Sequence, residues 1–464
     1  MSSLGRQIRI VLIGAFVLRA CFAIAVFLTV GNLEAYHIAD SWTYLKAAHS
    51  LIDQGLFFSD GSPEIFRTPG YPIFLIPGIL MGYPEIFTVL TQCALSCVTV
   101  YLVFLTSQEL FRNYKIALVA AILYAFEPLS NLYVAVLLTE TLFTFFIMIF
   151  VYQFAVYIRT ERLRTLFSGC VFLIASIYVR PASYYLPAFV ALFIVFLGLV
   201  TRKNPKKLIW HSLVFTLTTL VAVGVWQVRN YLETGYYGFS STAPYNLYFW
   251  MGSLIVAGKT GKTPDIIREK WGEFSPEQYF AEHNDQREWP ESKILNWQQR
   301  QAIIYIKENW YHYFLLVFKG AGYNLLGSGF DTYRYLLRCE TNLFRPPKES
   351  GRELDLGGSM FAQAIRWMRS LPTVLLIIQF VFLFLLATTY AMAIPGFIHG
   401  FKTNFALTCF MMLTVAYFIL VSAAIGLWSS RYRMPAMPII CVFAGYGATA
   451  TKDHFAKLIR IQDN

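Results

Sequence analysis

The sequence predicts an all-α integral membrane protein: a polytopic bundle of about ten transmembrane helices, with interfacial helices in the first outer loop and a small outer-face subdomain. Three observations carry this. Apolar stretches of about 18 or more residues recur along the chain, each long enough for a hydrocarbon core of roughly 30 Å. Of 464 residues, 56% are hydrophobic and 14% charged, with a mean hydropathy of +0.50, whereas soluble domains carry about 25% charge. The net charge of +11 gathers in short loops between apolar stretches, as cytoplasmic loops do, and so is not a nucleic-acid signal.

The expected crossings run at about 8–30, 86–110, 115–133, 136–158, 164–180, 183–201, 207–227, 373–397, 404–427 and 434–451. The first lacks a small-residue cleavage site and is expected to remain as a span. Basic residues at Arg6 and Arg9, Arg112 and Lys115, Arg159 to Arg164, Arg202 to Lys207, Lys402, and Lys452 to Arg460 fall on one side if the crossings alternate. That side is read as the cytoplasm, with both termini in it, in the plasma (bacterial inner) membrane. The expected units are an N-terminal transmembrane module, 1–228, an outer segment, 229–372, and C-terminal transmembrane helices, 373–464.

The outer face then receives a first loop, 31–85, made of a polar amphipathic stretch (40–54), a Gly/Ser/Asp turn (55–63) and a Pro-punctuated apolar run (69–81) too short to span. Segment 310–328 is apolar but carries His312, Lys319 and glycines, and an eleventh span would invert every later basic loop. It reads as interfacial or re-entrant. Six of the seven cysteines lie in apolar segments and Cys339 alone in a polar loop, so no disulfide framework is implied.

Charge beside a bilayer is costly without a task. Asp40 and Tyr44 sit four apart, on one face of a helix, and Arg67 follows on the same loop. Asp40 reads equally as a helix N-cap, and Arg67 as a snorkelling anchor. Glu127, Glu140, Arg180, Arg229, Arg431 and Arg433 fall at the same leaflet from crossings far apart in sequence. Singly each arginine reads as a headgroup anchor; together with acids at one depth they suggest a shared anionic-ligand cavity. Arg19, mid-span, is expected to pair inside the bundle. The aromatics after the seventh crossing, from Tyr231 to Trp250, read as an interfacial belt. No HExxH, CxxC, P-loop or GxSxG occurs.

Five short motifs in order give a resemblance. Asp40 precedes Tyr44 by four; Arg67 precedes Pro69-Gly70-Tyr71; Glu140 opens the fourth crossing; Arg229-Asn230 comes before Tyr245-Asn246-Leu247-Tyr248; and Arg431-Tyr432-Arg433-Met434-Pro435 precedes the last crossing. The chain resembles the GT-C superfamily of polyprenyl-phosphate-sugar-dependent membrane glycosyltransferases, in the bacterial branch related to protein O-mannosyltransferases and lipid A aminoarabinose transferases. The resemblance implies Asp40 as catalytic acid residue of the first loop and Arg67 as the contact to the lipid phosphate. Ser41 stands where many relatives carry a second acid, and the proline run differs from that of the aminoarabinose enzymes, so their substrate is not implied.

The expected function is therefore transfer of a sugar from a polyprenyl-phosphate donor to an acceptor hydroxyl on a glycan, glycolipid or protein, at the periplasmic face and with inversion. Asp40 and Glu140 are the expected catalytic residues. Tyr44, Arg67, Tyr71, Glu127, Arg180, Arg229, Arg431 and Arg433 are expected to bind substrate. No cofactor is implied, and a divalent cation held at Glu140 stays an open alternative. A transporter or flippase of an anionic lipid or solute, or a lipid-linked polysaccharide polymerase or ligase, are the rival readings.

Overall fold

The computed structural model describes residues 3–200, 204–336 and 373–462. Cys339, the remainder of the outer segment from 337 to 372, and basic Arg202 and Lys203 lie outside the described residues.

Helix α1 (Ser3–Val30) leads into the first loop. There, α2 (Ala39–Gln54) ends on Gly55, and a two-stranded hairpin, β1 (Phe58–Ser59) and β2 (Ser62–Pro63), follows. Asp60 and Gly61 turn that hairpin with φ of 50° and 81°, the paired left-handed conformations that match the strands' twist. The proline run then forms α3 (Gly70–Leu80), as a helix too short to span. Next come α4 (Pro84–Phe111), α5 (Tyr114–Ala125), α6 (Pro128–Leu132), α7 (Glu140–Thr160), α8 (Leu163–Val179), α9 (Leu186–Val200) and α10 (Pro205–Thr234). Short helices α11 (Thr242–Tyr245), α12 (Ser253–Thr260), α13 (Pro264–Lys270) and α14 (Pro276–Glu282) precede α15 (Glu291–Glu308), α16 (Trp310–Leu326) and α17 (Phe330–Leu336). Helices α18 (Thr373–Thr403), α19 (Phe405–Ala424) and α20 (Met437–Gln462) complete the bundle.

The all-α polytopic class holds, and a helix stands at each expected crossing. Length and composition alone pass fewer than ten of them. Among the described residues seven helices are long and apolar enough to cross a membrane, or eight if the bent pair Tyr114–Ala125 and Pro128–Ala135 is one span. Helix α8 has 17 residues, about 26 Å at 1.5 Å per residue, at the lower end of the range that spans a bilayer core. The apolar part of α20, Met437–Thr451, is also short.

The bent pair turns by 55°. Pro128 opens α6 without an N–H to give back to α5, and the Ser130 N–H donates to Glu127 Oε2 at 2.6 Å instead. Segment 310–328 becomes α16, a helix of 17 residues. It packs along α19: the Ser429 N–H donates to Asn324 Oδ1 at 2.8 Å and Asn324 Nδ2 donates to the Leu427 carbonyl at 3.2 Å. These bonds hold the turn that carries Arg431. The 242–308 helices close on a small aromatic core of Tyr248, Phe249 and Tyr279.

Candidate active site

Helix ends converge at the end of the bundle that carries the first loop. Asp40 stands in the first turn of α2 but does not cap it. The cap is Ile38, whose N–H donates to Ser41 Oγ at 3.0 Å. Ser41 thus does the local work, and the Asp40 carboxylate faces two guanidiniums. Arg67 Nη2 donates to its Oδ1 at 2.9 Å, and Arg431 Nη1 to its Oδ2 at 3.4 Å.

Arg67 is aimed by its own turn. Its N–H and that of Phe66 donate to Glu64 Oε1 at 2.9 and 2.6 Å. The side chain then reads one face of α2. Nε donates to Thr43 Oγ1 at 3.0 Å and Nη1 to the Tyr44 hydroxyl at 3.2 Å, so positions i, i+3 and i+4 of the helix all meet it. The loop can lie this close to α8 only because residue 70 is glycine: a Cβ there would sit 2.6 Å from the Tyr178 backbone. That approach sets the start of α3 against the end of α8 that leads into Arg180.

Glu140 is the first residue of α7 and only 2% exposed. Arg180, just past the end of α8, donates from Nη1 to its Oε1 at 2.7 Å. Arg431 Nε lies 3.7 Å from the same oxygen. The order Arg67–Asp40–Arg431–Glu140–Arg180 is a continuous row of alternating charges, with guanidiniums at both ends. Tyr432 lies beneath it, its ring 5.0 Å from Arg180 Cζ and 5.1 Å from Arg431 Cζ, and its hydroxyl accepts from Arg431 Nη2 at 3.2 Å. Tyr71 is a buried wall: its ring meets Tyr44 edge-on at 5.1 Å and its hydroxyl donates to Gln92 Oε1 at 3.2 Å.

Burial alone would raise the Asp40 pKa, but Arg67 and Arg431 outweigh it and hold the carboxyl below its usual range. The group is ionised at neutral pH. The row has one more cation than anion, so it attracts a further negative group.

Three candidates lie outside this row. Arg433, buried, is 4.0 Å from Glu127 and donates to the carbonyls of Leu325 and Gly327. Glu127 caps α6. Arg229 donates to the carbonyls of Glu64 at 2.8 Å and Phe57 at 2.6 Å, clamping the hairpin to α10. Arg19 is fully buried and donates to Ser96 Oγ at 2.7 Å and to the Ala125 carbonyl at 3.3 Å, tying α1 to the bend.

Sequence reasoning missed Thr43, Glu64 and Tyr432. Thr43 shares the Asp40 face at i+3, and Tyr432 lies between the two arginines of a quoted motif, so both carried a readable signal. Glu64 acts through its backbone partners and carried none. Among the described residues no group of three or more His, Cys, Asp or Glu side chains is arranged to hold a metal ion.

Comparison with known proteins bears on the fold. The family model for dolichyl-phosphate-mannose-protein mannosyltransferases matches residues 73–226, from α3 to near the end of α10. It includes Glu140 and Arg180 but not Asp40, Arg67 or Arg431. No curated protein matches the chain. The oligosaccharyltransferase AglB of Archaeoglobus fulgidus, solved with an inhibitory peptide and a dolichol-phosphate, matches with a TM-score of 0.51 at 11% identity, over 97% of this chain and 51% of that one. An Archaeoglobus fulgidus oligosaccharyltransferase solved with zinc and sulfate matches with a TM-score of 0.45 at 13% identity, over 96% of this chain and 51% of that one. The chain thus spans about half the length of these structures. The family match and the AglB-like fold bear out the GT-C resemblance, and the long apolar helices fit a multi-pass membrane protein.

Proposed function

We propose that this protein transfers a sugar from a polyprenyl-phosphate donor to an acceptor hydroxyl, in one displacement that inverts the anomeric carbon. The observation that carries the reading is the contact of Asp40 with both Arg67 and Arg431: a carboxylate able to take a proton stands among cations able to hold a phosphate.

In the step itself the acceptor oxygen attacks C1, and its proton passes to Asp40. The bond from C1 to the phosphate oxygen breaks, and polyprenyl phosphate leaves with the electron pair. Arg67, Arg431 and Arg180 stabilise the charge that grows on that phosphate through charge-assisted hydrogen bonds. Glu140 keeps Arg431 and Arg180 aligned and orients the acceptor.

A carboxylate with a depressed pKa is a poor proton acceptor, because a base works best with a pKa near the working pH. The donor resolves this. Its phosphate competes for the guanidinium N–H groups that Asp40 now holds. Asp40 loses part of its pairing, its pKa rises, and it becomes a better base only when donor is present. Binding of the donor thereby switches on the base.

The test is to incubate purified protein with a panel of polyprenyl-phosphate sugars and acceptors, and to follow release of polyprenyl phosphate. Release by the wild type and release about 10²–10⁴-fold slower by Asp40→Asn, with donor binding retained, is the expected result. Because Asn is nearly isosteric, substantial turnover by that variant would remove Asp40 from the chemistry. A transporter would instead move the lipid without cleaving it.

A further inference from the structure

The charged row uses only one side of α2. On the other side, Trp42, Lys46, His49 and Asp53 recur at i, i+4, i+7 and i+11, and all four are exposed. Such a stripe usually faces open water. This one faces a wall. The hairpin turn at Asp60 and Gly61, and Pro84 and Glu85 at the start of α4, close around it to leave a cavity of about 560 Å³, within the range of small-ligand sites.

The lining has a definite character. Trp42 is 49% exposed and meets His37 edge-on at 4.4 Å, so an aromatic surface is offered to the cavity. His37 lines the same cavity but is 8% exposed. Its Nε2 lies 3.1 Å from Glu85 Oε1, while its Nδ1 has no hydrogen-bond partner. Burial holds His37 below its usual pKa against the opposing pull of Glu85, so the ring is neutral at neutral pH and its single N–H serves Glu85.

The charges set the ligand class. Asp53, Asp60 and Glu85 outnumber Lys46, which Asp60 already pairs at 2.8 Å. A phosphate or uronate would meet repulsion. A hydroxyl-rich neutral molecule, or one with an amine, finds acceptors in the carboxylates, further hydrogen-bonding groups in the exposed His49 ring and Ser50, and an apolar platform for its ring C–H groups in Trp42. We propose that this cavity is a saccharide subsite, specific for neutral or amino-bearing sugars. It holds a sugar unit of the acceptor away from the reacting hydroxyl, a role that rests on the transfer reading above.

The experiment measures binding directly, on the full chain in lipid nanodiscs without donor, by saturation-transfer NMR. The probes are maltotriose, chitotriose, the amine-bearing chitosan trimer, and anionic sialyllactose. The wild type is expected to bind at least one of the first three and not sialyllactose. Trp42→Ala should weaken that binding at least tenfold, and Asp53→Asn should weaken it selectively for the amine-bearing trimer. Binding of the fluorescent polyprenyl phosphate used to check folding should be unchanged in both variants. Failure of all three sugars to bind the wild type, binding of sialyllactose as tightly as the others, or indifference to Trp42→Ala would each overturn the assignment. Saccharide binding in a protein that never releases polyprenyl phosphate would sink the transfer reading and leave the subsite standing.

Discussion

The two sides of α2 are made from one short helix, yet they are electrostatic opposites. On one, Asp40, Thr43 and Tyr44 meet Arg67, and with Arg431, Glu140 and Arg180 they form a partly buried row with excess positive charge. On the other, Trp42, Lys46, His49 and Asp53 line a water-accessible cavity with excess negative charge. A single helix can therefore present one side to a cation-rich row and the other to an acid-rich cavity, separated by its own backbone. The physical lesson is that ligand class is set by which charges the neighbouring elements bring, and not by the helix alone. Arg431 comes from the turn before α20, and Glu85 from the first turn of α4.

The comparison is broken most forcefully at Asp40. Loss of a general base costs about 10²–10⁴-fold in rate, so Asp40→Asn should lower transfer by that amount at saturating donor. Trp42→Ala should leave the rate at saturating acceptor within about twofold, because a sugar unit held equally in ground and transition states affects KM and not kcat. A similar loss of kcat in both variants would mean that the two sides are one site.

At Arg67 the effect is smaller and falls on the donor. Losing a charge-assisted hydrogen bond costs about 1.5–3 kcal/mol, so Arg67→Ala should weaken polyprenyl-phosphate binding by about 10–150-fold. Equilibrium binding of a labelled lipid checks this; unchanged affinity would move the phosphate site elsewhere. Arg229→Ala, which removes a backbone clamp and no contact of the row, should lower the melting temperature while the folded fraction keeps its donor affinity.

Acidity offers a gentler probe. Arg67 and Arg431 outweigh burial and keep the free Asp40 ionised, so donor-free protein should hold this ion pair down to below about pH 4, the usual aspartate range. Its folded pKa is depressed, so the stability it contributes is present above the unfolded value and is lost as the pH falls through the folded one. With donor bound, the competing phosphate should move the acid limb of the rate profile upward relative to the free enzyme. Profiles of kcat and of kcat/KM taken together read this difference, and coincident acid limbs would argue against a donor-triggered base.

The smallest perturbation concerns placement. Cysteines introduced at Asp60 and Glu282 should be labelled by an impermeant reagent in intact cells, and one at Lys206 should not. The opposite pattern would put both sides of α2 in the cytoplasm.

Much of this was legible in the sequence, for local reasons. Apolar runs and their lengths fix helices and their order, since backbone hydrogen bonds must be satisfied within a bilayer. The Pro/Gly run at 69–81 was readable as a short helix because it cannot reach across a membrane. Asp40, Tyr44, Arg67, Glu140, Arg180 and Arg431 stood out because charge at that depth is expensive without a partner. The sequence also supplied Glu127, Arg229 and Arg433 on the same grounds, and could not separate them. The tertiary structure decided that separation. Arg431 reaches Asp40 across 391 positions, while Arg433, two residues on, turns toward Glu127 and the carbonyls of Leu325 and Gly327. It likewise decided that Ser41 and not Asp40 serves the helix start, and that the stripe from Trp42 to Asp53 faces a cavity. Helix periodicity is a property of neighbours in the chain. Which charge pairs with which depends on desolvation and close packing between elements that only the folded bundle brings together.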